Sequence, residues 1–319
     1  CPAQTPGGLE HLHRWLNAGY AGEMRYMPER REAYAHPRHV LDGVQSLVLL
    51  ATPYQISDPR PVAAGQGRIA RYAWGTMDYH DLIQSRLHRL REQLAAIDGS
   101  IRTRGVVDTA PLLEREFAHL AGIGWIGKNT MLINRDLGSW FFLAALLVDR
   151  ELVCDPPYMA DHCGTCTACL DACPTHALVQ PHLLDATRCI SYLTIEHRSS
   201  IPKELRQSLG DWFFGCDICQ EVCPWNSRVQ VHGEPVWAPE SDRNPIDLVE
   251  LFSLDDSAFR KRFRATPIWR AKRRGLLRNA AVVLGNQRDR SAIPALTFGM
   301  RREESIVREA CAWALRQCR

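Results

Sequence analysis

Apolar residues recur along the first half of the chain in two rhythms. Leu82, Ile83, Leu87, Leu90, Leu94 and Ile97 follow one another at gaps of three and four after the first pair, which puts them on one face of a helix. Short apolar runs bounded by turn or polar residues predict buried strands at Val44 to Ala51, Gly105 to Thr109, Thr130 to Asn134 and Trp140 to Val148. The two rhythms alternate as far as about Asp155, as in a layered α/β domain. From about Pro156 to Val231 cysteines dominate, and a segment this short draws much of its fold from metal ligation. Beyond Asn244, the stretch Arg278 to Gly285 has a counterpart in Arg308 to Leu315, thirty residues on. That offset predicts a HEAT-like helical repeat, the alternative being two unrelated Ala-rich helices. The expectation is an α+β protein of three regions: 1–155, 156–231 and 244–319.

Composition narrows the class. A hydrophobic content of 45% in 319 residues is ample for cores, yet no run approaches the roughly 18 uninterrupted apolar residues of a membrane span. Neither an apolar secretory segment nor a twin-arginine leader is visible, and the start at Cys1 without a methionine suggests processing or truncation. The net charge of +3 is modest, so affinity for a polyanion has to come from a local patch.

The cysteines carry the chemistry. Cys163-x2-Cys166-x2-Cys169-x3-Cys173-Pro174 has the spacing of bacterial ferredoxins, and a partial copy follows at Cys216-x2-Cys219-x3-Cys223-Pro224. In two-cluster ferredoxins the last cysteine of each run ligates the other cluster. One 4Fe-4S cluster then takes Cys163, Cys166, Cys169 and Cys223. The other takes Cys216, Cys219 and Cys173 and lacks a fourth thiolate, because Phe213 stands where it belongs; Cys189 is assigned the vacancy. Zinc uses similar pairs but does not explain a triply repeated two-residue gap. Reduced thiolates point to the cytoplasm. Cys1, Cys154, Cys311 and Cys318 read as ordinary thiols.

Other signals are weaker. Gly122-Ile-Gly124-Trp-Ile-Gly127 matches a dinucleotide fingerprint, but a helix-like stretch precedes it and a strand-like one follows, the reverse of what phosphate binding needs. Asp108 closes a strand ahead of a helix, a frequent catalytic position, though an Asp or Thr before Pro111 equally caps that helix. Asp78 is a second plausible cap, and a lone histidine such as His80 is more often structural than catalytic. Arg260 to Arg278 holds nine Lys or Arg and no acid. Lacking salt-bridge partners, this run is expected to face phosphates, which makes nucleic acid a candidate partner.

Taken together, Arg71-Tyr72 with Asp78-Tyr79-His80, Val107-Asp108-Thr109, Ala121 through Lys128-Asn129, Cys163 to Pro174, Cys189 to Glu196 and Gly215 to Pro224 closely resemble the epoxyqueuosine reductases, which complete the queuosine modification of tRNA. The likeness spans about Ala18 to Asn226. It implies a cobalamin between the N-terminal and cluster domains, reduced through the two clusters by an external low-potential donor to cob(I)alamin, which takes the epoxide of the tRNA wobble nucleoside to queuosine. It implies Asp108 as proton donor, kept protonated by burial, and Tyr72, Asp78, Tyr79, His80, Lys128, Asn129, Thr130 and Ser191 around the corrin. Two departures stand out: the opening helix and strand usual in the family are lacking, and the gap between Gly75 and Asp78 is one residue longer than the family's pattern. The rival readings are a reductive dehalogenase-like corrinoid enzyme, and a ferredoxin-like electron carrier fused to a helical interaction module.

Overall fold

A computed structural model of the chain describes residues 1–229, 233–302 and 304–318. The expected boundary at Val231 and the terminal Arg319 lie outside the described residues. The fold is α+β. Its main sheet has Phe141–Val148 in the centre, with Ser46–Pro53 on one side and Thr103–Val106 on the other, both antiparallel to it. The α/β layering expected of this region is therefore corrected. A short apolar run reads the same whichever way its neighbour points, so strand direction was not in the pattern.

Phe141–Val148 is apolar at every position because both faces of the sheet are covered. Phe142, Ala144, Leu146 and Val148 pack with Ile83 and Leu87 of the helix Tyr79–Ile97. Ala145 and Leu147 point the other way, toward Phe117 of the helix Glu114–Leu120 and Val44 and Leu47. This is the two-residue alternation of a strand buried on both sides. Helix and sheet approach closely at Gly105, where a Cβ would sit 2.8 Å from that of Leu87.

The glycine-rich segment turns back as a hairpin, Trp125–Ile126 pairing with Leu132–Ile133. The expected strand from Thr130 shrinks because Thr130 itself lies at φ 67°, outside extended backbone. A Cβ at Gly124 would run into the carbonyl of Ile133. Helix, then hairpin, leaves no helix N-terminus for a phosphate.

A second sheet joins the three regions: Gln66–Ile69 is parallel to Trp212–Phe214 and antiparallel to Ile246–Asp247. The largest core crosses the same divisions. Ile69 and Trp74, then Leu193, Leu209 and Phe213, then Leu276 to Leu284 and Val307 to Ala314 belong to it. The helix Lys272–Gln287 packs on Ser305–Gln317, with Gly285 set against Trp313 and Ala314. Arg278, 1% exposed, donates to the carbonyls of Leu193, His197 and Ser199, and Asn279 donates to those of Thr194 and Phe213. The C-terminal helices are thus bolted to the segment that carries Cys189.

Candidate active site

Cys163 bears electrostatically on Cys169 and Cys223, and Cys166 on Cys223. Cys189, Cys169 and Cys173 bear on Cys219, and Cys189 on Cys216. The eight thiols thus stand near one another, with Cys169 within reach of both sets; crossed ligation would divide them into a first quartet of Cys163, Cys166, Cys169 and Cys223 and a second of Cys173, Cys189, Cys216 and Cys219. Burial raises the thiols of Cys169, Cys189, Cys216, Cys219 and Cys223, so ligand binding here displaces protons.

The first quartet lines an open cavity of about 160 Å³ together with Lys128, His162, Trp225 and Arg228, and no carboxylate faces it. Four soft sulfurs beside cations suit an anionic iron–sulfur cube and offer nothing to a hard, oxygen-seeking ion. The second quartet is deeper. Its sulfurs receive backbone N–H groups, from Ala177 to Cys173 at 3.3 Å, from Ser191 and Tyr192 to Cys189 and from Ile218 to Cys216. Such bonds are one of the settings of a cluster's potential.

Arg71, nearly buried, pairs with Asp217 and Glu221 and lies over the ring of Trp140 at 4.4 Å, tying the loop of Cys216 to the wall that bears Tyr72. Tyr79 stacks on Phe142, His80 on Tyr79. Asp78 caps the helix they begin, accepting from the His80 amide, and also holds His80 Nδ1 at 2.7 Å. Asp108 faces this group from the opposite side: Tyr79 donates to it at 3.0 Å and His80 Nε2 stands 3.4 Å away. The helix-cap reading of Asp108 fails, because the helix starts only at Glu114 and Asp108 itself sits at φ 56°.

Asp108 is 65% exposed, yet burial works against its ionisation. Both hold for an exposed carboxylate bordered by Tyr79 and His80, and the hollow that these three side chains border is open to solvent. His80 Nε2 is buried there without an aligned hydrogen-bond partner.

The charges differ from the expectation of a protonated Asp108. The close approach of His80 lowers its pKa against the opposing effect of burial. Burial opposes the charge on His80, but its contacts with Asp108 and Asp78 prevail and raise it to about 9. Both shifts favour an ionised carboxylate beside a protonated imidazole. Glu114, next to Asp108, is pushed up to about 7 by burial and then by the Asp108 charge.

The remaining expected contacts divide. Lys128 Nζ donates to the carbonyls of Gly164 and Cys166, and Asn129 donates to that of Cys219; both side chains hold cluster loops. The Thr130 carbonyl accepts from Arg115, whose charge also feels Glu114, Asp108 and Cys219. Ser191 lies two residues after Cys189, in the first turn of the helix Ile190–Ile195 that Cys189 precedes. Glu114 and Arg115 escaped the sequence reading, and no spacing rule marks them.

The basic run is corrected in part. Carboxylates distant in sequence lace it: Arg262 meets Asp242 and Glu250, Arg273 meets Asp256 and Glu304, and Arg270 meets Glu196. Arg278 is core. Arg198, Arg270, Lys272 and Arg274 gather within mutual electrostatic reach, and Arg270 reaches the field of Asp108.

Comparison with known proteins identifies the family. Residues 35–109 match the family model described as Epoxyqueuosine reductase QueG, DUF1730, and residues 162–226 match a 4Fe-4S double cluster binding domain. Among curated relatives, the epoxyqueuosine reductase of Pseudomonas aeruginosa is 44% identical over 314 residues, 96% of this chain and 86% of that protein. That of Escherichia coli is 39% identical over 310 residues, covering 96% and 81%. A solved epoxyqueuosine reductase carrying an epoxyqueuosine-modified tRNA-Tyr stem loop superposes with a TM-score of 0.90 at 33% identity, over 100% of this chain and 85% of its own. Another, from Bacillus subtilis, has its catalytic aspartate loop swung out of the active site; it gives a TM-score of 0.89 at 32% identity, with the same coverage. With relatives 39% to 44% identical over 96% of its length, the chain belongs to the epoxyqueuosine reductase family.

Proposed function

We propose that this chain reduces epoxyqueuosine to queuosine at the wobble position of tRNA, with 4Fe-4S clusters on the two quartets and a cobalamin in the Asp108 hollow. The observation that carries the reading is the shared neighbourhood of the hollow and the deeper quartet. Arg115 feels both Asp108 and Cys219, and Tyr72 feels both Asp108 and the Asp217 that follows Cys216. Electrons arriving at sulfur emerge beside a proton-bearing group. Cobalamin, when bound, supplies the strongly reducing electrons that open the epoxide.

The protein's own part is binding and proton delivery. Removing the epoxide oxygen as water consumes two electrons and two protons, and an alkoxide leaves poorly without one of them. Asp108 and His80 hold a proton between them where that oxygen would stand. Tyr72, Tyr79 and Phe142 form an apolar aromatic wall, and Asp78 fixes the imidazole from behind. Lys128, Asn129, Thr130 and Ser191 contribute from the cluster side. Arg198, Arg270, Lys272 and Arg274 contact RNA phosphates and bring the anticodon to Asp108, with residues 244–319 as a HEAT-like support. The division into regions 1–155, 156–231 and 244–319 is one of role, and the setting is the cytoplasm with an external low-potential donor. Among the described residues no helix is long and apolar enough to cross a membrane.

The test is anaerobic purification with cobalamin and quantification of iron, sulfide and cobalt. Incubation with epoxyqueuosine-containing tRNA and a low-potential reductant follows, with the nucleoside analysed for loss of one oxygen. Bound iron without corrin absorbance and without turnover would favour the electron-carrier reading instead.

A further inference from the structure

Asp108 adopts a backbone conformation that a residue with a Cβ resists, at φ 56°. Something has to hold it there. Its side chain is turned to Tyr79 and His80, and neither fixes the backbone.

The backbone is fixed from elsewhere. The Asp108 N–H donates to Glu114 Oε1 at 2.8 Å, and the next carbonyl, that of Thr109, accepts from Arg30 at 3.0 Å. Thr109 N–H closes a tight turn on the carbonyl of Val107 at 2.6 Å. Glu114 is the first residue of the helix Glu114–Leu120, whose Phe117 and Ala118 are buried against the sheet. Its carboxylate is therefore mounted on a rigid element, and its reach sets where the Asp108 amide, and with it the Asp108 side chain, can lie. The helix gains no cap from the arrangement, since its N-cap residue Leu113 makes no side-chain bond.

We propose that Glu114 is a positioning residue: it latches the Asp108 loop in the left-handed conformation that aims the Asp108 carboxylate at His80 and into the hollow. The inference rests on the reading of Asp108 as the group that serves the epoxide oxygen. Reach is what matters, because a neutral amide oxygen accepts the same N–H bond that a carboxylate does.

Three variants separate reach from charge. Glu114→Gln keeps reach and loses charge; Glu114→Asp keeps charge and is one methylene short; Glu114→Ala loses both. Each holoenzyme is measured for iron, corrin absorbance, tRNA affinity and kcat. Turnover of Glu114→Gln should stay within about threefold of the parent, while Glu114→Asp and Glu114→Ala lose about tenfold or more in kcat with tRNA affinity and cofactor content unchanged, as misplacement of a reacting group does. If Glu114→Ala does not fold, the Gln and Asp variants alone decide. Parental kcat in Glu114→Asp, or a Glu114→Gln variant as slow as Glu114→Asp, overturns the latch. Asp108→Asn run alongside isolates the underlying reading: full turnover in that variant removes the role of Asp108 itself, whereas its loss beside an unaffected Glu114→Asp removes only the latch.

Discussion

The imidazole of His80 stands with Nε2 3.4 Å from the carboxylate of Asp108, an approach that lowers the pKa of the carboxylate and raises that of the imidazole. Replacing Asp108 by Asn keeps the shape and removes the charge that raises His80. Turnover on epoxyqueuosine-containing tRNA should fall by about a hundredfold or more, the usual cost of losing a general acid. Iron and corrin content should not change. A variant at parental speed would return Asp108 to a structural role.

The same contact makes stability depend on pH. The His80 pKa is raised from 6.5 to about 9, so the pairing contributes in full below about pH 6.5 and its contribution is lost as pH rises through about 9. The gap in denaturation midpoint between the parent and His80→Gln should therefore be widest near pH 6 and narrow toward pH 9.5. A gap that grows with alkalinity would contradict the assignment of the proton.

Cys189 lies with Cys173, Cys216 and Cys219, whereas Cys154 is exposed and apart. Anaerobically prepared Cys189→Ala should fall from about eight irons per chain toward about four, with turnover lost. Cys154→Ala should keep its full iron. Equal iron in both variants would take Cys189 out of the second site.

Lys272, Arg198 and Arg274 form the cationic ground near Asp108. Changing all three to Gln should weaken tRNA binding and reduce the slope of log K against log salt by roughly 0.7 per lost phosphate contact to a single strand. Unchanged slopes would move the RNA to another face. Arg273, tied to Asp256 and Glu304, is better left alone, since its loss tests folding.

Arg278 offers a separate check on the architecture. Arg278→Met strands the carbonyls of Leu193, His197 and Ser199 in the core and should cost about 3 kcal/mol of stability. Chemical denaturation in the presence of bound clusters measures it.

Sequence spacing revealed what local ligation dictates. The runs from Cys163 and from Cys216 were legible because cluster ligation imposes short fixed gaps, and their segment matches a double-cluster domain. The helix Tyr79–Ile97 and the central strand were legible from their apolar rhythm, within three residues at each edge. Three things were not. Strand direction leaves no trace in an apolar run. The partners of Arg262, Arg270 and Arg273 lie between 12 and 74 residues away in the chain, from Glu250 for Arg262 to Glu196 for Arg270, so a stretch without acids looked unpaired when it was not. The proton's location depends on His80 meeting two carboxylates, one of them from a different element.

Arg278 and Asn279 join the last helices to the backbone around Cys189, and that junction constrains how the molecule can be cut or varied. A chain ended ahead of Lys272 would lose the donors that hold the carbonyls of Leu193, Thr194, His197, Ser199 and Phe213, and with them the backing of the turn after Cys189. On the proposed function, damage to the tail would then reach the deeper cluster as well as the grip on RNA.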